Sequence, residues 1–296
     1  MWYRRCMLLA LVMLLGGCGD STGPDGGGLP SGMVDSGSWY RTGFRWPHDG
    51  KPYESPNFIV YSDAASLEAR RTLADIAEEL LVVLKNDFGI DPETMFRFPA
   101  GQSKLHIYVY QNYSPRSWGG WGYYGGLMIY SVEHEWRTEI GGTQLDNYTR
   151  VVTHELMHAV EGLLKGTDNP NLVDVWLTEG IAEYVAGGTS SGSVTDLARL
   201  DELTGTYGEW NPIEMHQYDY PDIEAIGFLY YYPMFELAVT YLLDPAGAGN
   251  AQSSVRDILL DARDGVPFAT SLQNRLGIGL QEYEDEFFER IREFLN

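Results

Sequence analysis

Hydrophobic positions recur along the chain with two different periods, and the change of period divides it. Asn57-Phe-Ile-Val-Tyr-Ser62 is a short apolar run closed by Ser62-Asp63 and reads as a strand. Leu67, Leu73, Ile76, Leu80 and Leu84 then fall at helical spacing, predicting an amphipathic helix that stops before Gly89. Leu105-His-Ile-Tyr-Val-Tyr110 alternates as a second strand does, and Leu127 to Ser131 reads as a third. Between them Ser114 to Gly126, rich in glycine and aromatics, reads as a loop.

The rest of the chain is helical in pattern. Asn147 is the expected N-cap of a helix running to about Lys165, with Gly166 as its stop. Val175 to Ala186 is expected as a second helix capped by Asp174, and Pro233 to Leu243 as a third. Leu280, Tyr283, Phe287, Ile291 and Phe294 form one stripe of a last helix. A strand-rich N-terminal part with a small mixed sheet, followed by a mainly helical part, is an α+β fold, and the chemistry described below is expected between the two parts.

The first residues do not belong to that pattern. Arg4 and Arg5 precede an apolar run, Met7 to Leu15, that is too short to span a bilayer comfortably. Leu15-Gly16-Gly17-Cys18 resembles a bacterial lipobox, in which the cysteine is lipidated and becomes the new N-terminus; the alternative is an ordinary signal peptide that contains a cysteine. Gly19 to Ser38 is rich in Gly, Ser, Pro and Asp and reads as a tether. The expected organisation is a signal peptide over 1–17, a flexible tether over 18–38 and one domain over 39–296, held at the bacterial cell envelope by the lipid on Cys18, on the periplasmic side or at the surface. Cys6 and Cys18 are the only cysteines, so the exported part has no disulfide.

Composition narrows the partners. A formal net charge of −22 argues against nucleic acid and against adhesion to anionic head groups, leaving the N-terminal lipid as the only membrane contact. Acidity of this order keeps a chain soluble and monomeric. At 44% hydrophobic residues a sizeable core is expected.

The chemistry gathers in two short segments. His154 and His158 of His154-Glu-Leu-Met-His158 stand four apart on a predicted helix, so both imidazoles leave one face and can share a zinc ion. Val152, Leu156, Ala159, Val160 and Leu163 supply a separate apolar face, so the histidines are not needed as core filler. Glu155 beside the first histidine can act as general base toward an activated water. A hydrolytic zinc site needs a third protein ligand, and Glu179 in Trp176-Leu-Thr-Glu-Gly-Ile-Ala-Glu-Tyr184 can supply it. Gly180 removes bulk where two helices must approach closely. Glu183, one turn on, can accept an N–H from a liganding histidine and fix its tautomer. The competing readings are two surface histidines and two solvent-facing glutamates.

These two segments, in this order, resemble the gluzincin metallopeptidases: thermolysin-like enzymes, bacterial collagenases and zinc aminopeptidases. The resemblance is firm over Asn147 to Gly187 and extends weakly to 105–131, where gluzincins place the edge strand that holds substrate. It implies zinc on His154, His158 and Glu179, Glu155 as general base and Glu183 supporting a ligand. The metzincin pattern would need Gly at 161 and His at 164, where this chain has Glu161 and Leu164. Gluzincins draw an oxyanion donor from a downstream helix. The candidate here is Tyr230-Tyr231-Tyr232, where the spacing to Tyr241-Leu242 matches best at Tyr232, followed by Tyr231, with His216 an outside candidate; each tyrosine can equally be an aromatic packed between helices. His48, His106 and His134 are expected to be structural or exposed.

An aminopeptidase of this family carries a G-x-M-E-N stretch for the substrate amine. Gly126-Leu-Met-Ile-Tyr130 has Ile129 in place of the glutamate, which favours an endopeptidase acting on peptides or proteins. An extended peptide is expected to pair near Leu127–Ser131, with Trp118, Trp121, Tyr123 and Tyr124 either lining subsites or covering the core. Two alternatives remain: a non-catalytic binding lipoprotein on the same scaffold, and a zinc hydrolase of non-peptide amides.

Overall fold

The structure is a computed structural model that describes residues 52–62, 67–111, 118–131, 143–189, 192–216 and 227–296. The signal segment, the tether, Cys18, His48 and His134 lie outside the described residues. The architecture is α+β: a mixed five-stranded sheet from the N-terminal part, then mostly helices. Two compact units are formed, one from the chain up to Glu78 with Phe98–Ala159, the other from Glu79–Arg97 with Val160–Asn296. No helix among the described residues is long and apolar enough to cross a membrane.

The sheet consists of β1 (Tyr53–Glu54), β2 (Phe58–Ser62), β3 (Leu105–Gln111), β4 (Trp118–Tyr123) and β5 (Gly126–Ser131), in the order β1-β2-β3-β5-β4. β2, β3 and β5 run parallel, and β1 and β4 are antiparallel to their neighbours. The register sets Phe58 against Leu105, Val60 against Ile107, and Ile107 against Leu127. These side chains are wholly buried, as the central strands of a parallel sheet require. On the other face Tyr61 stacks on Tyr108 at 5.0 Å, and His106 meets Tyr61 edge-on at 5.4 Å. His106 Nδ1 lies 3.2 Å from the Tyr108 hydroxyl, and burial pushes its imidazole below the ordinary value, so this histidine is structural, as expected.

Two expectations about the sheet are overturned. Trp118–Tyr123, read as loop, is strand β4. Gly119, Gly120 and Gly122 hide it from any propensity argument, since glycine weakens an isolated strand. It turns into β5 through Tyr124-Gly125, with Gly125 at φ +97°, a conformation that suits glycine. Consequently β5, the strand expected to receive a peptide, is paired on both sides, and among the described residues the edge belongs to β4.

The helix Leu67–Asp87 buries Leu73, Ala77, Leu80 and Leu84, while Leu67 at its first position is 62% exposed and drops out of the expected stripe. Its Glu78 accepts from Ser55 Oγ at 2.6 Å, from the Asn57 N–H at 2.8 Å and from Asn57 Nδ2 at 2.7 Å, tying down the turn between β1 and β2. The histidine helix spans Thr143–Lys165, so Asn147 sits inside it rather than capping it. Asparagine costs a helix interior only a few tenths of a kcal/mol, roughly, and Thr-Gln-Leu-Asp before it extends the helix. Gly166, at φ +72°, closes the helix as expected, its N–H reaching the Gly162 carbonyl at 2.7 Å.

In the second unit the glutamate helix Val175–Val185 is buried at every position from Val175 to Glu183. Asp174 stands at its N-cap position but makes no side-chain cap bond. Trp176, wholly buried, meets Tyr283 at 5.8 Å and Phe268 at 6.1 Å. Beside this helix runs Tyr232–Leu243, which is entered through a π-helical turn at Gly227–Tyr231. Helices Leu197–Tyr207, Gln252–Arg263 and Phe268–Leu276, which the sequence reading did not separate, follow the same logic of one apolar face. The last helix, Leu280–Phe294, buries Tyr283, Phe287 and Ile291, and the Tyr283 hydroxyl donates to the Ala238 carbonyl at 2.9 Å.

Replacing Glu78 with alanine removes three hydrogen bonds to a charged acceptor. Glu78→Ala should lower stability by about 1.5–3 kcal/mol, seen as a lower urea midpoint.

Candidate metal centre

The α-helical repeat brings residues four apart onto one face, and the histidine helix uses it as expected. Val152, Leu156, Ala159, Val160 and Leu163 are wholly buried, which fixes the rotation of the helix. His154 is buried, His158 half-buried, and their rings meet edge-on at 4.8 Å. Their Nε2 atoms lie 3.2 Å apart. Two nitrogens bound to one tetrahedral ion at 2.0–2.1 Å would be about 3.3 Å apart, so the separation suits a shared ligand.

One ligand atom from each of His154, His158 and Glu179 falls within 4.8 Å of the other two, and this group can hold a metal ion. Glu179 is wholly buried. Two imidazole nitrogens and a carboxylate oxygen suit a borderline cation of the zinc type better than a hard one such as calcium, which takes oxygen ligands.

Glu155 is 3% exposed, and its Oε2 accepts the main-chain N–H of Gly122 at 2.7 Å. A Cβ at Gly122 would overlap the Glu155 carbonyl oxygen and lie 2.6 Å from His158 Cβ and 3.1 Å from the Ala159 nitrogen. The edge strand β4 is therefore glycine where it meets the helix turn bearing Glu155 and His158. Sequence reasoning missed this residue. The available signal was glycine repeated between aromatics, which marks close backbone approach as well as a loop.

Gly180 performs the role expected of it. A Cβ there would overlap the Phe235 carbonyl and lie 2.7 Å from Val239 Cγ2, so the glutamate helix meets helix Tyr232–Leu243 at van der Waals contact. Glu183 is buried one turn beyond Glu179.

The oxyanion candidates lie in different surroundings. Tyr232 and Tyr231 are both buried, Tyr231 stacked on Phe235 at 5.8 Å and Tyr232 tilted against it at 6.1 Å. Tyr230 is committed elsewhere: its hydroxyl accepts the Trp210 N–H at 3.0 Å and donates to the Trp210 carbonyl at 2.9 Å. His216 is likewise engaged, with Nδ1 at 2.7 Å from Asp174 Oδ2 and Nε2 at 3.1 Å from Glu284 Oε1. Burial pushes both carboxyls above their ordinary values while His216 pulls them back. Ile129 is wholly buried and pairs with Gly120, so Gly126–Tyr130 is interior strand.

No protein-family model matches the chain, and no curated protein matches it.

Gly180→Ala should destabilise the protein by about 1–3 kcal/mol, because backbone lies in the way of the added methyl, and would disturb the group of His154, His158 and Glu179 by displacing Glu179. His216→Ala should leave metal content unchanged. Its stability cost should stay under about 1 kcal/mol because the pair is partly solvent-screened.

Proposed function

We propose that this protein is a zinc-dependent peptide hydrolase, an endopeptidase, with His154, His158 and Glu179 as the metal ligands. The observation that carries the reading is that one ligand atom from each of these residues lies within 4.8 Å of the other two, and the helix bearing both histidines also carries Glu155. Zinc there would polarise the scissile carbonyl and bring the pKa of a bound water down to about 7. Glu155, next in sequence to a ligand, takes the proton from the attacking water and returns it to the leaving amine. Glu183 orients a liganding imidazole. Tyr232 is the proposed donor to the developing oxyanion, with Tyr231 second, because the spacing to Tyr241-Leu242 matches the resembling enzymes best at Tyr232.

An extended substrate pairs with the outer edge of β4 rather than with β5, whose two sides are taken. Ile129 offers no acid for a substrate α-amine, which favours internal bonds over N-terminal ones. The lipobox at Leu15–Cys18 would hold this activity at the cell envelope.

Elemental analysis of purified wild type should find about one zinc per chain, lost in His158→Ala; no zinc in wild type after it is supplied would overturn the reading. Glu155→Gln should retain zinc and lose peptide hydrolysis, and substantial residual turnover would remove Glu155 from the role of base. Tyr232→Phe should lower kcat more than it raises KM; an unchanged rate would move the donor to Tyr231.

A further inference from the structure

We propose that Gly122 is a positioning residue: its main-chain N–H holds the carboxylate of Glu155, and its missing side chain lets β4 come close enough to do so. The inference rests on the reading of Glu155 as general base. Three observations carry it. The N–H of Gly122 meets Glu155 Oε2 at 2.7 Å, the length of a charge-assisted bond. The same residue has no room for a Cβ against the turn Glu155–Ala159, so no other amino acid can offer this N–H from this distance. Glu155 is 3% exposed, so the contact is not one that water readily replaces.

The physical effect is orientation. A glutamate has three side-chain torsions, and a general base must present an oxygen within about 0.5 Å of its productive place. Anchoring Oε2 to a main-chain donor fixes the carboxylate plane, and so fixes where Oε1 lies. The donor belongs to a strand rather than a side chain, so its own position is set by the pairing of Gly122 with Leu127.

The bond also sets a boundary on the sheet edge. In an antiparallel pair, alternate residues turn both main-chain groups away from the partner strand. Gly122 gives its N–H to Glu155, which makes it one of the outward residues, together with Gly120. Among the described residues no strand pairs with the outer side of β4, so a peptide added there would meet the outward main-chain groups of Gly120 but an occupied N–H at Gly122. Main-chain pairing through donors of β4 ends beside the carboxylate that is to act.

The test joins an amide spectrum to kinetics. In 13C,15N-labelled wild-type protein, the Gly122 amide proton, assigned from sequential triple-resonance spectra, should lie downfield. It should move upfield in Glu155→Ala, a readout that needs neither metal nor substrate. In Gly122→Ala, kcat should fall about 10- to 100-fold from misplacement of the base, with zinc retained and KM within about twofold. A Gly122 amide indifferent to Glu155→Ala overturns the inference, and because it uses wild-type backbone it does so even where Gly122→Ala fails to fold. Unchanged kcat, or loss of zinc in step with activity, also overturns it, the latter by making the strand a spacer for the ligands. Wild type with zinc but no peptide hydrolysis would instead overturn the functional reading on which the inference rests.

Discussion

Burying carboxyl side chains inside helices is the constraint that the rest of this structure answers to. Glu155, Glu161, Glu179 and Glu183 are each at most 4% exposed, and His154 is buried with them. An ionised carboxylate moved into an apolar interior costs several kcal/mol, roughly, unless opposite charge or hydrogen-bond donors meet it. The histidine helix and the glutamate helix gather such groups within five-residue and nine-residue motifs, among leucines, valines and a buried tryptophan. A divalent cation held by His154, His158 and Glu179 would place the largest local positive charge among them, directly on Glu179 and one residue from Glu155. Metal binding there would draw on the same free energy as folding.

Two glycines translate that constraint into geometry. In one unit Gly122 brings the sheet edge onto the turn Glu155–Ala159; in the other Gly180 brings the glutamate helix onto Phe235 and Val239. At both positions the neighbour is main chain, which cannot swing aside as a flexible side chain can. Elsewhere the structure fixes polar groups with pairs of acceptors. Glu78 gathers three donors beneath β2, and His216 bridges the carboxylates of Asp174 and Glu284. The His216 bridge explains why Asp174 stands at a helix start without capping it.

What the sequence made legible was local. The i, i+4 histidines, the apolar stripe of their helix, the stop at Gly166 and the helix around Glu179 depend on neighbours within a turn or two, and all stand where the periodicity puts them. What it hid was non-local. β4 looks like a loop because its glycines answer to a helix 33 residues away, where Gly122 meets Glu155. The strand order, and with it the edge, depends on parallel pairing that no single segment encodes. The start of the histidine helix was misplaced because Asn147 carries a capping preference that its neighbours outweigh. Tyr230, Tyr231 and Tyr232 are alike in sequence, and only the π-helical turn before Pro233 gives them different surroundings.

The Tyr230 hydroxyl has a consequence for how readily the chain is itself cut. Trp210 is 52% exposed on an irregular segment after helix Leu197–Tyr207, the kind of aromatic, accessible position at which loops are nicked. Proteolysis of such a segment requires it to straighten and offer its N–H and C=O to a protease strand. Both groups of Trp210 are already held by one phenol oxygen, itself in a wholly buried residue. The segment is thus held against the straightening that cleavage by any protease requires, and a single buried hydroxyl supplies both bonds.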